Sequence, residues 1–387
     1  MSYKDDINRR EVLKSVSVSV GAITGASSVV GASNIETIEI PALISDGQIV
    51  KTKEVPSSWY NHYRNAKDQS SQLEHQLREA IPAENSESDQ LPEGVKGVAI
   101  SRDEATFDGV HGFIIEVHLK ESSENQANQL SAADIPSHSG NIPVETIISP
   151  VGTKDACNTR CTEARQTEDP VPGGTRLQAL GPNSENSGGF TSCCKVYYNN
   201  NPRLLTCAHA VDWNNEECNH NSSTADIYQP DITEQYVGNV SEVNGYDDWS
   251  LIKEDSNSDL SNGFTSDIAV TNDVMKGVVS QSNIGYLISN SAEVNKVGRT
   301  TCHDTATLTK EWQNYGGHCN NDGWVQSDAI TKGGDSGGPV YFKPNAYNDD
   351  SYLAYMHVMG VSCEDGDSDS KGVSGYKLEN QYGLSIT

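Results

Sequence analysis

The stretch Gly333-Gly334-Asp335-Ser336-Gly337-Gly338-Pro339-Val340 is where the fold and the chemistry of this chain are most legible. Four glycines surround one serine. Residues without a Cβ let the backbone turn sharply and aim successive N–H groups at one point. A serine hydroxyl on such a turn is presented outward, and the amides of Gly334 and Ser336 make a pair of donors for an oxyanion. The competing reading is a glycine-rich turn with an incidental serine. A hydroxyl is a weak nucleophile. Acyl transfer therefore also needs a base to take its proton and an acid to orient that base.

Upstream, two segments supply these groups. Leu204-Leu205-Thr206-Cys207-Ala208-His209-Ala210 is an apolar strand that ends in small residues and a histidine. It places an imidazole at a strand end, packed from behind and open in front. Asp247-Asp248-Trp249-Ser250-Leu251-Ile252 heads an apolar strand with an acid able to hold a histidine tautomer. Singly, His209 reads as a buried structural histidine and Asp248 as a strand cap. Together they form the order His, Asp, Ser, with room between them for the strands of two barrels.

The 387 residues predict two to three structural units. From residue 151 to 387, short apolar runs recur between Gly, Asn, Asp and Ser clusters, at 190–198, 203–211, 249–253, 294–301, 324–330, 338–342 and 353–363. Helical periodicity is nearly absent there, so this part reads as mainly β, a barrel or a sandwich. Residues 34–150 read as a small α+β region. Trp59, Tyr63, Ala66, Leu73, Leu77 and Ile81 recur at helical spacing until Pro82. Strands are expected over 95–101, 112–120 and 142–148, and a short helix over 124–134. Such a unit is either a propeptide that assists folding or an accessory domain that stays attached.

Residues 1–33 carry Arg9-Arg10 and then a weakly apolar stretch rich in Ser, Gly and Val. This reads as a twin-arginine export signal; Gly21, Gly25 and Gly31 argue against an ordinary helix. The stretch is too polar for a membrane span, and no later run qualifies. Nine cysteines point to an oxidising, secreted setting. The 54 Asp and Glu against 27 Lys and Arg leave a formal charge of -27. That surface repels nucleic acid and anionic membranes. It suits work in concentrated salt, where like charges are screened; an acidic secreted protein that binds calcium is the other reading.

With these motifs in view, the region from about 165 to 387 resembles the trypsin-like (chymotrypsin-type) serine peptidase family, nearest its microbial streptogrisin-like and glutamyl-endopeptidase-like branches. Thr-Cys-Ala-His is similar to the family's Thr-Ala-Ala-His, Asp-Trp-Ser-Leu-Ile to its Asp-Ile-Ala-Leu-Leu, and Gly-Asp-Ser-Gly-Gly-Pro matches outright. Lys296-Val297-Gly298-Arg299-Thr300-Thr301 resembles a strand-and-turn motif of the microbial enzymes. With the acidic composition, a halophilic archaeal source is expected. The resemblance implies a chymotrypsin-like double β-barrel with the site between the barrels. It makes His209 the general base, Asp248 (in preference to Asp247) its orienting partner and Ser336 the nucleophile. It places Ile330 at the base of the substrate pocket and Ser362 on a strand lining it. Asp328 would take the place of Ile330 only if the loop shifts.

The chain departs from the family in its cysteines. Cys207 lies two residues before the histidine, where the family's cysteine follows it. A bridge from Cys207 to Cys193 or Cys194 on the preceding strand is expected. Cys302 and Cys319 bracket 16 residues and are the expected pair, contributing about 3 kcal/mol by loop entropy. A zinc site built from them with His303 and His318 is the rival. Cys157 and Cys161 could bridge locally or bind metal. No metal or cofactor is expected. The substrates are proteins or peptides, and the protein is expected to act as a monomer. A protease-fold binding protein without activity and a disulfide- or metal-stabilised structural protein remain the alternatives.

Overall fold

The computed structural model describes residues 35–79, 91, 94–120, 135–149, 161–162, 164, 166–181, 188–211, 224–315, 319, 322–345, 348–361 and 369–387. The expected signal, the expected helix over 124–134 and Ser362 lie outside these residues.

In the amino-terminal part, β1 (Thr37–Ser45) and β2 (Gln48–Pro56) form a hairpin. The helix α1 (Ser57–Glu79) follows and buries Trp59, Tyr63, Ala66, Leu73 and Leu77, the face marked by the sequence periodicity. Next come β3 (Val95–Phe107), β4 (Val110–Lys120), β5 (His138–Ser139) and β6 (Ile142–Ser149).

The middle of the chain is a seven-stranded sheet. Its strands are β8 (Arg176–Leu180), β9 (Phe190–Thr191), β10 (Lys195–Tyr198), β11 (Asn201–Thr206), β12 (Asp226–Gln229), β13 (Gln235–Asn244) and β14 (Trp249–Glu254), preceded by the short β7 (Val171–Gly173). The spatial order is β10-β11-β14-β13-β12-β8-β9. The two edge strands are thus joined by residues 192–194 alone, so the chain itself carries one edge of the sheet round to the other. Leu177, Ala179, Leu204, Ile227, Val237 and Ile252 fill its interior.

A second barrel is closed by hydrogen bonds. After β15 (Phe264–Ile268), β16 (Val274–Val279) and α2 (Gln281–Ser289) come β17 (Glu293–Gly298), β18 (Cys302–Tyr315), β19 (Trp324–Ser327), β20 (Pro339–Phe342), β21 (Asp350–Val361) and β22 (Asp369–Ser374). The circuit β17-β18-β19-β22-β21-β20 returns to β17, which leaves none of the six an open edge within the ring. The last helix is α3 (Gly375–Tyr382), stopped by Gly383 in the left-handed conformation, φ +67°.

The amino-terminal strands are hydrogen-bonded to this second barrel. β1 pairs with β16, and β3 pairs with the far half of β18, from Lys310 opposite Ser101 to Tyr315 opposite Gly97. One hydrophobic core runs through both, containing Trp59, Phe113, Trp312 and Trp324. The fold is therefore mainly β, a double β-barrel preceded by α+β elements that extend its second sheet.

The cysteines pair otherwise than expected. Cys302 is bonded to Cys161, not Cys319. Cys302 opens β18 and Cys319 lies beyond its other end. A 14-residue strand is roughly 45 Å of extended chain, far beyond the Cα separation a disulfide allows, at most about 7 Å. Cys319 is itself disulfide-bonded. Cys193, Cys194 and Cys207 are buried free thiols rather than a bridge; the Cys207 sulfur faces His209 instead. With Cys302 in a disulfide, the rival zinc set loses a ligand. Among the described residues no group of three or more His, Cys, Asp or Glu could hold a metal ion, and no helix is long and apolar enough to cross a membrane.

Candidate active site

His209 and Asp248 are brought together by strand register. β11 and β14 are antiparallel, with Thr206 opposite Ser250. Continued two residues, that register sets Ala208 against Asp248, and the Ala208 amide donates to the Asp248 carbonyl at 3.2 Å. Neighbouring leucines on β11 face opposite ways: Leu204 enters the first-barrel core and Leu205 the main core. The strand end is thereby locked before it releases His209.

The Asp248 carboxylate is fully buried and used on both oxygens. Oδ1 accepts the His209 amide at 2.7 Å, and Oδ2 lies 2.6 Å from His209 Nδ1. The imidazole is 39% exposed, so the ring is held from behind and open in front. Burial disfavours the imidazolium, but the Asp248 charge, helped by Cys207, outweighs it and holds the His209 pKa well above its ordinary value. Nε2, the nitrogen facing away from Asp248, has Cys207 Sγ 3.9 Å away. Sequence reasoning expected Cys207 in a bridge and missed this contact.

The glycine-rich loop is attached to the same strand end through Thr191. The Thr191 amide donates to Ser336 O at 2.9 Å, its Oγ1 to Gly334 O at 2.8 Å, and its own carbonyl accepts Thr206 Oγ1 at 2.8 Å. Gly337 has φ +91°, and a Cβ there would lie 2.1 Å from Thr191 O and 2.3 Å from Thr206 Oγ1. A side chain would thus force the loop off β11. The amides of Asp335, Gly337 and Gly338 each donate to a backbone carbonyl; among the described residues those of Gly334 and Ser336 do not. Two unspent donors thus flank the serine, as an oxyanion requires.

Beneath the loop lies an ion pair that the sequence did not reveal. Lys296 and Asp335 are both fully buried, with Nζ to Oδ2 at 2.8 Å. Asp335 also accepts the amides of Thr300, Thr301 and Lys332 and the Thr301 hydroxyl. Burial alone would raise its pKa; the Lys296 charge and these donors bring it below the ordinary range. Lys296 also donates to Ile330 O at 2.9 Å. The signal available was the Lys296–Thr301 motif itself, read only as a strand and turn.

The pocket residues stand less simply. The Ile330 side chain is 44% exposed. Asp328 is committed to Thr307, accepting its amide at 2.7 Å and its hydroxyl at 2.9 Å. The residue of β21 bonded to the glycine-rich loop is His357, which sequence reasoning missed. Its amide donates to Gly338 O at 2.8 Å and its carbonyl accepts the Gly337 amide at 2.7 Å. The ring is buried, with Nδ1 2.9 Å from Ser370 Oγ. Burial and the Lys296 charge push its pKa down to about 3, so it is neutral at any working pH.

No family profile matches the sequence, and no curated protein does. Solved structures do match in shape. A glutamic acid-specific serine protease is 19% identical, with a TM-score of 0.37, covering 56% of this chain and 100% of its own. Thermobifida fusca protease A is 14% identical at TM-score 0.38, covering 56% and 98%. An alpha-lytic protease homologue, N4, is 15% identical at TM-score 0.39, again over 56% and 98%.

Proposed function

We propose that this protein is a serine endopeptidase that hydrolyses peptide bonds through an acyl-enzyme, with Ser336 as nucleophile, His209 as general base and Asp248 as its orienting partner. The observation that carries this reading is the double hydrogen bond between His209 and Asp248 at the strand end to which the Ser336 loop is attached. His209 Nε2 takes the Ser336 proton as Oγ attacks the scissile carbonyl. The carbonyl oxygen becomes an oxyanion and is met by the Gly334 and Ser336 amides. The same imidazolium then protonates the leaving amine. Water repeats the sequence to release the acid and restore Ser336. Asp248 fixes the tautomer that leaves Nε2 able to accept, and it stabilises the imidazolium.

The substrates are polypeptides. The acidic chain works in salt, is exported through its twin-arginine segment, and keeps Cys161–Cys302 oxidised outside the cytoplasm. Labelling with a fluorophosphonate in concentrated salt tests the reading. Wild type is expected to label and to cleave casein. Ser336→Ala is expected not to label and to lose on the order of 10⁴-fold or more in turnover. A folded wild type that neither labels nor cleaves would be a binding protein built on the same fold.

A further inference from the structure

Asp247 and Asp248 are adjacent buried carboxylates that face different partners. Asp248 faces His209. Asp247 faces α3: Lys377 Nζ lies 2.8 Å from Oδ1, and the Tyr382 hydroxyl donates to Oδ2. The Asp247 amide is held by Asn244 Oδ1 at 2.8 Å. Lys377 is itself buried and reaches on to Asp322, to its carbonyl at 2.9 Å and its carboxylate at 2.6 Å. On the other side of Asp248, the Trp249 ring meets the Tyr382 ring edge-on at 5.1 Å. One helix therefore grips the residue before Asp248 by charge and the residue after it by ring packing.

That grip bears on an unfavourable backbone. Asp248 has φ +52°, in the left-handed region. A non-glycine residue held there persists only where its surroundings over-determine it. This conformation accompanies the use of both Asp248 oxygens on His209. A fully buried aspartate such as Asp247 also needs a paired cation; Lys377 supplies it at the position that anchors the turn.

We propose that Lys377 and Tyr382 of the carboxy-terminal helix are positioning residues for Asp248, acting through Asp247 and Trp249; this rests on the triad proposed above. Loosening either contact lets the Asp248 peptide relax, and the carboxylate loses its alignment on Nδ1. The effect falls on the chemical step rather than on substrate binding.

The test uses the full chain in salt, with Lys377→Met, Lys377→Arg and Tyr382→Phe. Fluorophosphonate labelling is followed across probe concentration, alongside the downfield Nδ1 proton resonance of His209 and a thermal melt. Lys377→Met is expected to lower the maximal labelling rate about tenfold or more with little change in half-saturation, and to shift or broaden the resonance. Tyr382→Phe is expected to move both the same way by a smaller factor, and Lys377→Arg to restore most of the rate. A folded Lys377→Met with wild-type rate and resonance would overturn the proposal. Should Lys377→Met fail to fold, an unaltered rate and resonance in Tyr382→Phe would do the same. If wild type itself does not label, the peptidase reading falls, while the resonance still judges the anchor.

Discussion

At the residue scale, the three groups proposed to react could be picked out of the sequence because chemistry restricts their types. A strand-end histidine, a strand-head acid and a serine among glycines each look ordinary alone, but their order is informative. What could not be read was who stands behind them. Lys296 and Lys377 look in sequence like any surface lysine, yet each neutralises a buried aspartate beside the site. Only three-dimensional neighbours distinguish such a lysine from a solvated one. The pKa of His209 gives a prediction here. As the proposed general base His209 must be neutral, and Asp248 holds its pKa above the ordinary value of 6.5. Activity is therefore expected to rise as pH climbs through that raised pKa, with the acid limb of kcat/KM centred above 6.5. Asp248→Asn removes the stabilising charge, so the limb is expected to move to lower pH while the plateau falls about 10⁴-fold. A limb that stays in place would show that another group sets it.

At the element scale, alternation and turn residues located most strands, because period two is a local property. The predicted run over 190–198 is in fact two strands, β9 and β10, interrupted at residues 192–194, where the sheet turns from one edge to the other. The helices α2 and α3 were not anticipated. They have nine and eight residues, too few turns to build a periodic signal, and α3 is set by Gly383 and by burial of Tyr376 and Leu378. The Cys161–Cys302 bridge joins the segment before the first barrel to the start of β18 in the second, across 141 residues. Loop entropy makes it worth up to about 5 kcal/mol. Cys161→Ser, or reduction, is expected to lower the melting temperature by roughly 10 °C. An unchanged melt in dithiothreitol would remove the bridge from the stability argument.

At the scale of the whole molecule, the amino-terminal region meets the second barrel through charge as well as sheet. Lys67 of α1 lies 2.6 Å from Glu311, which is fully buried on β18 and also bonded to Tyr63 and Tyr376. Glu116 of β4 is bonded to His118 and to Lys310 of β18. Burial alone would raise the Glu116 pKa; His118 and Lys310 lower it to about 2. A depressed carboxylate pKa contributes stability that is complete above the unfolded value and lost as pH falls through the folded one. Here the window runs from 4.5 down to about 2, a contribution of about 3 kcal/mol. Glu116→Gln is expected to flatten the loss of melting temperature across that window. A region anchored in this way is expected to stay with the mature protein: after limited proteolysis, fragments from 35–149 should co-elute with the barrels in salt. Their separation under native conditions would favour the propeptide reading. The charge of -27 yields the last expectation. The Debye length shrinks from about 10 Å at 0.1 M salt to about 3 Å at 1 M. Melting temperature and labelling rate should both climb over that range; a protein fully stable in dilute buffer would contradict salt adaptation.

The sequence by itself determined the residue types of the proposed triad, the mainly β texture of residues 151–387 and the buried face of α1. All three are written in short local patterns, which any fold of this chain must respect. The tertiary structure alone decided that Cys302 joins Cys161, that β3 extends along β18, and that Asp247 and Trp249, on either side of Asp248, meet the last helix. Those are choices among distant partners. They depend on which strands become neighbours when the barrels form, and residue order within a segment carries no record of that.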